Sequence, residues 1–185
     1  LYIVGAWGGP LRVYASIKFF LYTFSGSLIM LVGMLFVAYI YHSLTGVWSF
    51  AITDWYALVL PESYQLWLFA AFFIGFAIKV PMFPFHTWLP YAHGQAPTIG
   101  SVILAAVLLK MGTYGFVRFT LPMFPDASVA AITPIAVLSL IMVIYTAMVA
   151  YAQKDIKQVI AYSSVSHMGI IMLGLFAMNS EGISG

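Results

Sequence analysis

No cysteine occurs in the 185 residues, which excludes disulfides and thiolate metal sites and leaves the redox compartment unreadable. Charge is almost as scarce. Only 6% of residues are Asp, Glu, Lys or Arg, where ordinary soluble domains carry roughly 25%. The net charge of +2 is small and no basic run exists, so nucleic acid is not an expected partner. No signal-peptide pattern opens the chain. What fills the space is apolar, at 63% of all residues. A soluble protein of that composition could not cover its surface. The expected class is therefore all-α, a polytopic bundle of transmembrane helices in contact with lipid. Leu1 lies inside an apolar run and Gly185 in a loop, so the chain reads as an internal piece of a longer protein.

The apolar runs set the organisation. Residues 1–7 read as the last turns of one helix, closed by Gly8, Gly9 and Pro10. Complete spans are expected over 17–42, 66–93, 98–121, 129–151 and 156–178. Each is near or above the roughly 20 residues that cross a hydrocarbon core. Gly26, Ser25 and Ser27 give the first of these a small-residue contact. The span over 66–93 carries VPMFPFH, and Pro81 and Pro84 are expected to break it near 80–86. Trp88 and Tyr91 read as interface anchors. Loop charges alternate: Arg12, Lys18, Lys154 and Lys157 fall on one side, and Asp54, Glu62, Arg118, Asp126 and Glu181 on the other. The positive-inside rule makes the first side cytoplasmic or its organellar equivalent.

Three ionisable side chains fall near the centres of expected spans: Lys79, Lys110 and His167. A lysine there costs about 2.5–3.5 kcal/mol on insertion scales, and the snorkelling open to lysines near helix ends is poor at mid-span. A desolvated amine gives up its proton more readily, and histidine titrates near neutrality. Groups of this kind joined by water form a proton relay. Thr113, Tyr114, Ser163, Ser164 and Ser166 are candidates to hold the connecting waters. His167 serves either as a relay group or as a hydrogen-bond partner of a neighbouring helix. His86 and His93 share a helical face if the helix continues between them. No further ligands accompany them, so no metal is expected, and capping, water binding or an accessory relay role is the better reading. All five acids lie outside the spans, so the partner of Lys79 is expected elsewhere.

The run FAIKVPMFPFHTWLPYAHGQAPTIGSVILAAVLLKMGTYGFVR resembles the antiporter-like membrane subunits of respiratory complex I, in the group called chain M or subunit 4. The stretches LYIVGAWGG, IKFFLYTFSGS and QKDIKQVIAYSSVSHMG extend the resemblance over the whole chain. One departure is Tyr91, where many bacterial relatives have an acid. The resemblance implies a larger subunit built from two inverted repeats. It makes Lys79 the pumping lysine of the broken helix, Lys110 the residue linking half-channels, and His167 part of a central polar axis. It places a glutamate partner just before Leu1 and a further charged residue after Gly185.

The function implied is proton translocation coupled to NADH:quinone electron transfer, in a bacterial inner membrane or a mitochondrial one. The chain itself would hold no cofactor. Flavin, iron–sulfur clusters, NADH and quinone would belong to partner subunits, and other membrane-arm subunits would flank it. The alternatives are a subunit of a multisubunit cation/proton antiporter and the membrane arm of a hydrogenase or chloroplast-type dehydrogenase.

Overall fold

The computed structural model describes residues 1–184, and among them every regular element is helical. Helix α1 is Tyr2–Trp7 and α2 is Arg12–Thr45. A short α3, Ile52–Tyr56, precedes α4, Glu62–Lys79. Helix α5 is Trp88–Gln95. Helix α6, Thr98–Met123, is continuous but contains two π-helical stretches, Leu104–Leu108 and Phe116–Thr120. Helix α7 is Pro125–Ala130, α8 is Ile132–Tyr151, α9 is Ile156–Phe176 and α10 is Ser180–Ser184.

Four of these, α2, α6, α8 and α9, are long and apolar enough to cross a membrane. Their outer faces carry exposed Val32, Ile144 and Met148, as expected where lipid is the solvent. Helix α2 has 34 residues and is about 51 Å long, longer at both ends than the span expected over 17–42. Arg12 and Lys18 belong to the helix rather than to the turn before it. It stops only at Gly46, whose φ of 75° is a left-handed cap that glycine adopts without a steric penalty. The turn between α1 and α2 is tied to the end of α5. Gln95 accepts from Gly9 N–H through its carbonyl and from Leu11 N–H through Oε1.

Small residues fix the close contacts. Helices α2 and α4 meet at Gly26 and Gly75, where a Cβ on Gly75 would lie 2.8 Å from the Met30 Cβ. Helices α8 and α9 lie side by side. The Ser166 hydroxyl donates to the Val143 carbonyl at 3.0 Å, and Gly169 rests on the Ser139 backbone. Helix α6 lies across α4 at Gly112 and Gly115. Phe72, Phe76, Phe116 and Phe176 form the aromatic centre of the bundle, with neighbouring rings 5.6–6.3 Å apart.

Candidate functional site

The break after α4 follows from one missing donor. Pro81 has no N–H to return to the Ala77 carbonyl. The Met82 N–H takes that carbonyl instead, at 2.8 Å. The Ile78 carbonyl, which Met82 would have served, is thereby freed, and the Trp88 indole N–H fills it at 2.9 Å. Trp88 is only 1% exposed. It is a buried clamp on the link and not the interface anchor expected of it. Its ring packs on Phe19, and the neighbouring Thr87 hydroxyl pairs with the Tyr22 hydroxyl at 3.0 Å, so α2 holds the link from behind. Trp88→Phe should strand the Ile78 carbonyl and cost about 1–3 kcal/mol. A lower midpoint in a thermal melt of the tagged full-length protein would show it.

Lys79 is the last residue of α4 and is half-buried. Its Nζ lies 6.0 Å from the centroid of the Phe76 ring. The other charge on this helix, Glu62, is in its first turn. Seventeen residues separate the two, about 25 Å of helix. Asp126 sits at the Glu62 end too, where it accepts from Gln65 Nε2 at 3.0 Å. Asp54 is bonded to Ser49, and Asp155 caps α9 by accepting from Lys157 N–H.

The stem of Lys79 rests on α6. A Cβ on Gly112 would lie 3.2 Å from the Lys79 Cβ and 2.6 Å from the Val80 side chain. Lys110 stands two residues earlier, about 200° around the same helix. It therefore faces away from Lys79, and α6 is a wall between the two lysines. Lys110 is exposed at the midpoint of α6 and opens onto a cleft of about 560 Å³ lined also by Thr113, Tyr114, Val117, Ile170 and Gly174. Helices α6 and α9 form its sides. They are bridged at one end by the Phe116 and Phe176 rings, 5.7 Å apart. At the other end Lys157 Nζ of α9 donates to the carbonyl of Ala96, two residues before α6, at 3.1 Å.

His167 is exposed at the middle of α9, one turn before Ile170 and on the face that lines the cleft. Its Nδ1 is 2.7 Å from the Ser163 carbonyl and 3.4 Å from the Ser163 hydroxyl. A carbonyl only accepts, so Nδ1 carries the hydrogen and Nε2 is the acceptor of the neutral ring. The hydrogen-bond partner is its own helix and not a neighbouring one.

The expected accessory groups divide. Ser163 is with His167. The Thr113 hydroxyl lines the cleft but donates to the Lys110 carbonyl at 2.9 Å. Ser164 turns back to the Ile160 carbonyl, and buried Ser166 is the α8–α9 clamp. His86 and His93 do not share a helix, because helix resumes only at Trp88. Both are 5% exposed; among the described residues the Nδ1 of His86 and the Nε2 of His93 have no hydrogen-bond partner. Two features had no sequence signal. The π-helical turns of α6 fall on either side of Lys110, an arrangement common at functional sites. Glu181 on α10 lines the far end of the Lys110 cleft.

Residues 1–185 match the transmembrane family described as NADH:quinone oxidoreductase/Mrp antiporter. The NADH-quinone oxidoreductase subunit M of Rickettsia prowazekii is 53% identical over 99% of this chain and 36% of its own length. The subunit M of Rhodobacter capsulatus is 51% identical over 99% of this chain and 37% of its own. Among solved structures, a chain of respiratory complex I from Thermus thermophilus with bound NADH is similar, with a TM-score of 0.87 and 36% identity. That match covers 97% of this chain and 38% of the other. The chain thus spans a little over a third of these relatives. Matched over its whole length, the chain belongs to the NADH:quinone oxidoreductase/Mrp antiporter family of transmembrane proteins.

Proposed function

We propose that this chain is the central part of an antiporter-like subunit of a respiratory NADH:quinone oxidoreductase, and that it moves protons across a bacterial inner membrane. The observation that carries the reading is the placement of three ionisable groups around one helix. Lys79 is at the end of interrupted α4 against one face of α6. Lys110 lines the cleft at its other face, and His167 is exposed one turn before Ile170 of that cleft.

The interruption matters for Lys79. Unpaired carbonyls at a helix C-terminus favour a cation by about 0.3–1 kcal/mol, up to about 2 when partly buried. That falls short of the roughly 2.5–3.5 kcal/mol cost of a lysine at mid-membrane. A carboxylate partner must supply the rest, and Glu62 is too far along α4 to do so. The partner therefore comes from elsewhere in the subunit. When its charge moves, Lys79 becomes poorly solvated and gives up its proton. Lys110 and the free Nε2 of His167 are the proton-carrying groups on the far side of α6. Electron transfer occurs in partner subunits, and this chain receives its energy as a shift of charge.

Vesicles carrying the full-length parent in its complex provide the test. NADH should drive proton uptake, and Lys110→Met should cut it severalfold. A second reading is a cation/proton antiporter, favoured by the breadth of the matching family. If NADH drives nothing in the wild type while a sodium gradient drives proton exchange, that second reading replaces the first.

A further inference from the structure

We propose that the polar pocket between α5 and α9 is a phosphate-ester site, and that it holds the headgroup phosphate of an anionic phospholipid from the leaflet on the Lys154 side.

The pocket has a volume of about 280 Å³ and is lined by Pro90, Tyr91, Gln153, Gln158 and Tyr162. That is the share of roughly nine waters in the liquid, room for a phosphate and its ester oxygens. Its depth follows from the helices. Gln153 lies in the turn after α8, and Gln158 is in the first turn of α9. Tyr162 is four residues further along α9, about 6 Å. The pocket therefore sits at the membrane edge, where headgroups are, and not at the middle of the spans. It is also on the side that carries Arg12, Lys18, Lys154 and Lys157.

The lining is rich in donors. Gln158 spends one N–H on the Pro90 carbonyl at 3.2 Å, and Gln153 one on the Val149 carbonyl at 3.1 Å. Each amide nitrogen retains a second N–H, and Tyr91 and Tyr162 add two hydroxyls.

Charge decides which ligand suits them. Among the described residues no carboxylate lines the pocket. Lys18 of α2 is half-buried beside it, with its Nζ 4.2 Å from the centroid of the Tyr91 ring and 5.7 Å from that of Tyr14. The two rings meet edge-on, 5.3 Å apart. Ring faces attract an ammonium through their quadrupoles but bring no net charge. One positive charge is therefore left over next to a set of N–H and O–H donors. A resident metal cation is repelled there. The complement is an anion with several acceptor oxygens, which a phosphate ester supplies. The membrane is its source because of the depth of the pocket. Met148 and Tyr151 of α8, five and two residues before Gln153, are 68% and 96% exposed and give acyl chains an apolar surface close by.

The test compares two photoreactive lipids on the full-length subunit within its complex. The host vesicles are phosphatidylcholine, whose choline cation Lys18 disfavours. One probe is phosphatidylglycerol with a diazirine near the glycerol end of one acyl chain and a tag on the other. The second is diacylglycerol with the same chains and no phosphate. After illumination the tag is read by mass spectrometry on residues 153–162 of the separated subunit, relative to the lipid-facing surface around Val32. Phosphatidylglycerol should label 153–162 at least about fivefold more than diacylglycerol, the effect of one lysine near an anionic leaflet. Lys18→Gln removes the cation, and Tyr91→Asp puts a carboxylate in the lining. Each should bring phosphatidylglycerol down to the diacylglycerol level. Equal labelling by the two lipids in the unsubstituted protein overturns the site, and that comparison stands even where a variant does not assemble. An excess that survives both substitutions in assembled complex overturns the part given to Lys18 and the lining. Millimolar orthophosphate, balanced with chloride for ionic strength, separates the two sources of phosphate. The excess should persist; its loss would make the occupant a soluble phosphate and overturn the lipid assignment.

Discussion

Lys79→Met in the full-length parent should leave the complex assembled and cut NADH-driven proton uptake by about tenfold or more, a barrier change of about 1.4 kcal/mol. The two halves of this expectation have different causes. Methionine keeps the unbranched stem that rests on Gly112, so the α4–α6 contact survives. It also removes a charge that costs about 2.5–3.5 kcal/mol in a membrane interior, which offsets much of the cost of leaving its carboxylate partner unpaired. Transport loses a group that can carry a proton and gains nothing in its place. If the relay is coupled to the redox reaction, NADH oxidation should slow with it. Normal assembly with normal uptake and normal oxidation would make Lys79 a structural residue only. A pair of gel and vesicle measurements on one preparation separates these cases.

Gly112→Leu should have the larger effect on folding, with little or no assembled complex. A Cβ at Gly112 would meet the Val80 side chain at 2.6 Å, the Val80 nitrogen at 3.1 Å and the Lys79 Cβ at 3.2 Å. The nitrogen belongs to a link already held by Trp88 and Tyr22, so it cannot withdraw without breaking those bonds. Overpacking in a well-filled core costs about 1–3 kcal/mol, and the loss of the Trp88 bond would add to it. Gly46→Ala makes the informative contrast. That glycine also has a special conformation, with φ of 75°, but nothing lies within 4 Å of its Cβ position. The penalty there should be about 1 kcal/mol, the ordinary cost of a left-handed alanine. Subunit level on a native gel distinguishes the two.

The interruption of α4 was legible because its cause is local. Pro81 and Pro84 delete donors that any helix reader can count. The repair was not legible. The indole of Trp88 serves a carbonyl ten residues earlier, and that carbonyl is free only because Met82 has moved to serve Ala77. No single residue type announces such a two-step exchange. The ionisable side chains were found readily, since charge in an apolar run stands out. Their relative directions were hidden until the contact at Gly112 fixed which side of α6 meets α4. The same is true of Ser166. Its hydroxyl looked suited to holding water, but Val143 on the adjacent helix uses it.

The position of α6 between Lys79 and Lys110 also bears on how a signal crosses it. A helix with its side chains is about 10–12 Å across, too thick for a proton to jump. Its backbone is nevertheless a thin dielectric sheet. Two unit charges about 10 Å apart at an effective dielectric near 20 interact by roughly 1.7 kcal/mol. Loading one face with charge therefore makes the opposite face harder to load, as on the plates of a capacitor. The wall that stops a proton from slipping directly between the two lysines still transmits its electric field, so each side can respond to the other without a conducting path between them.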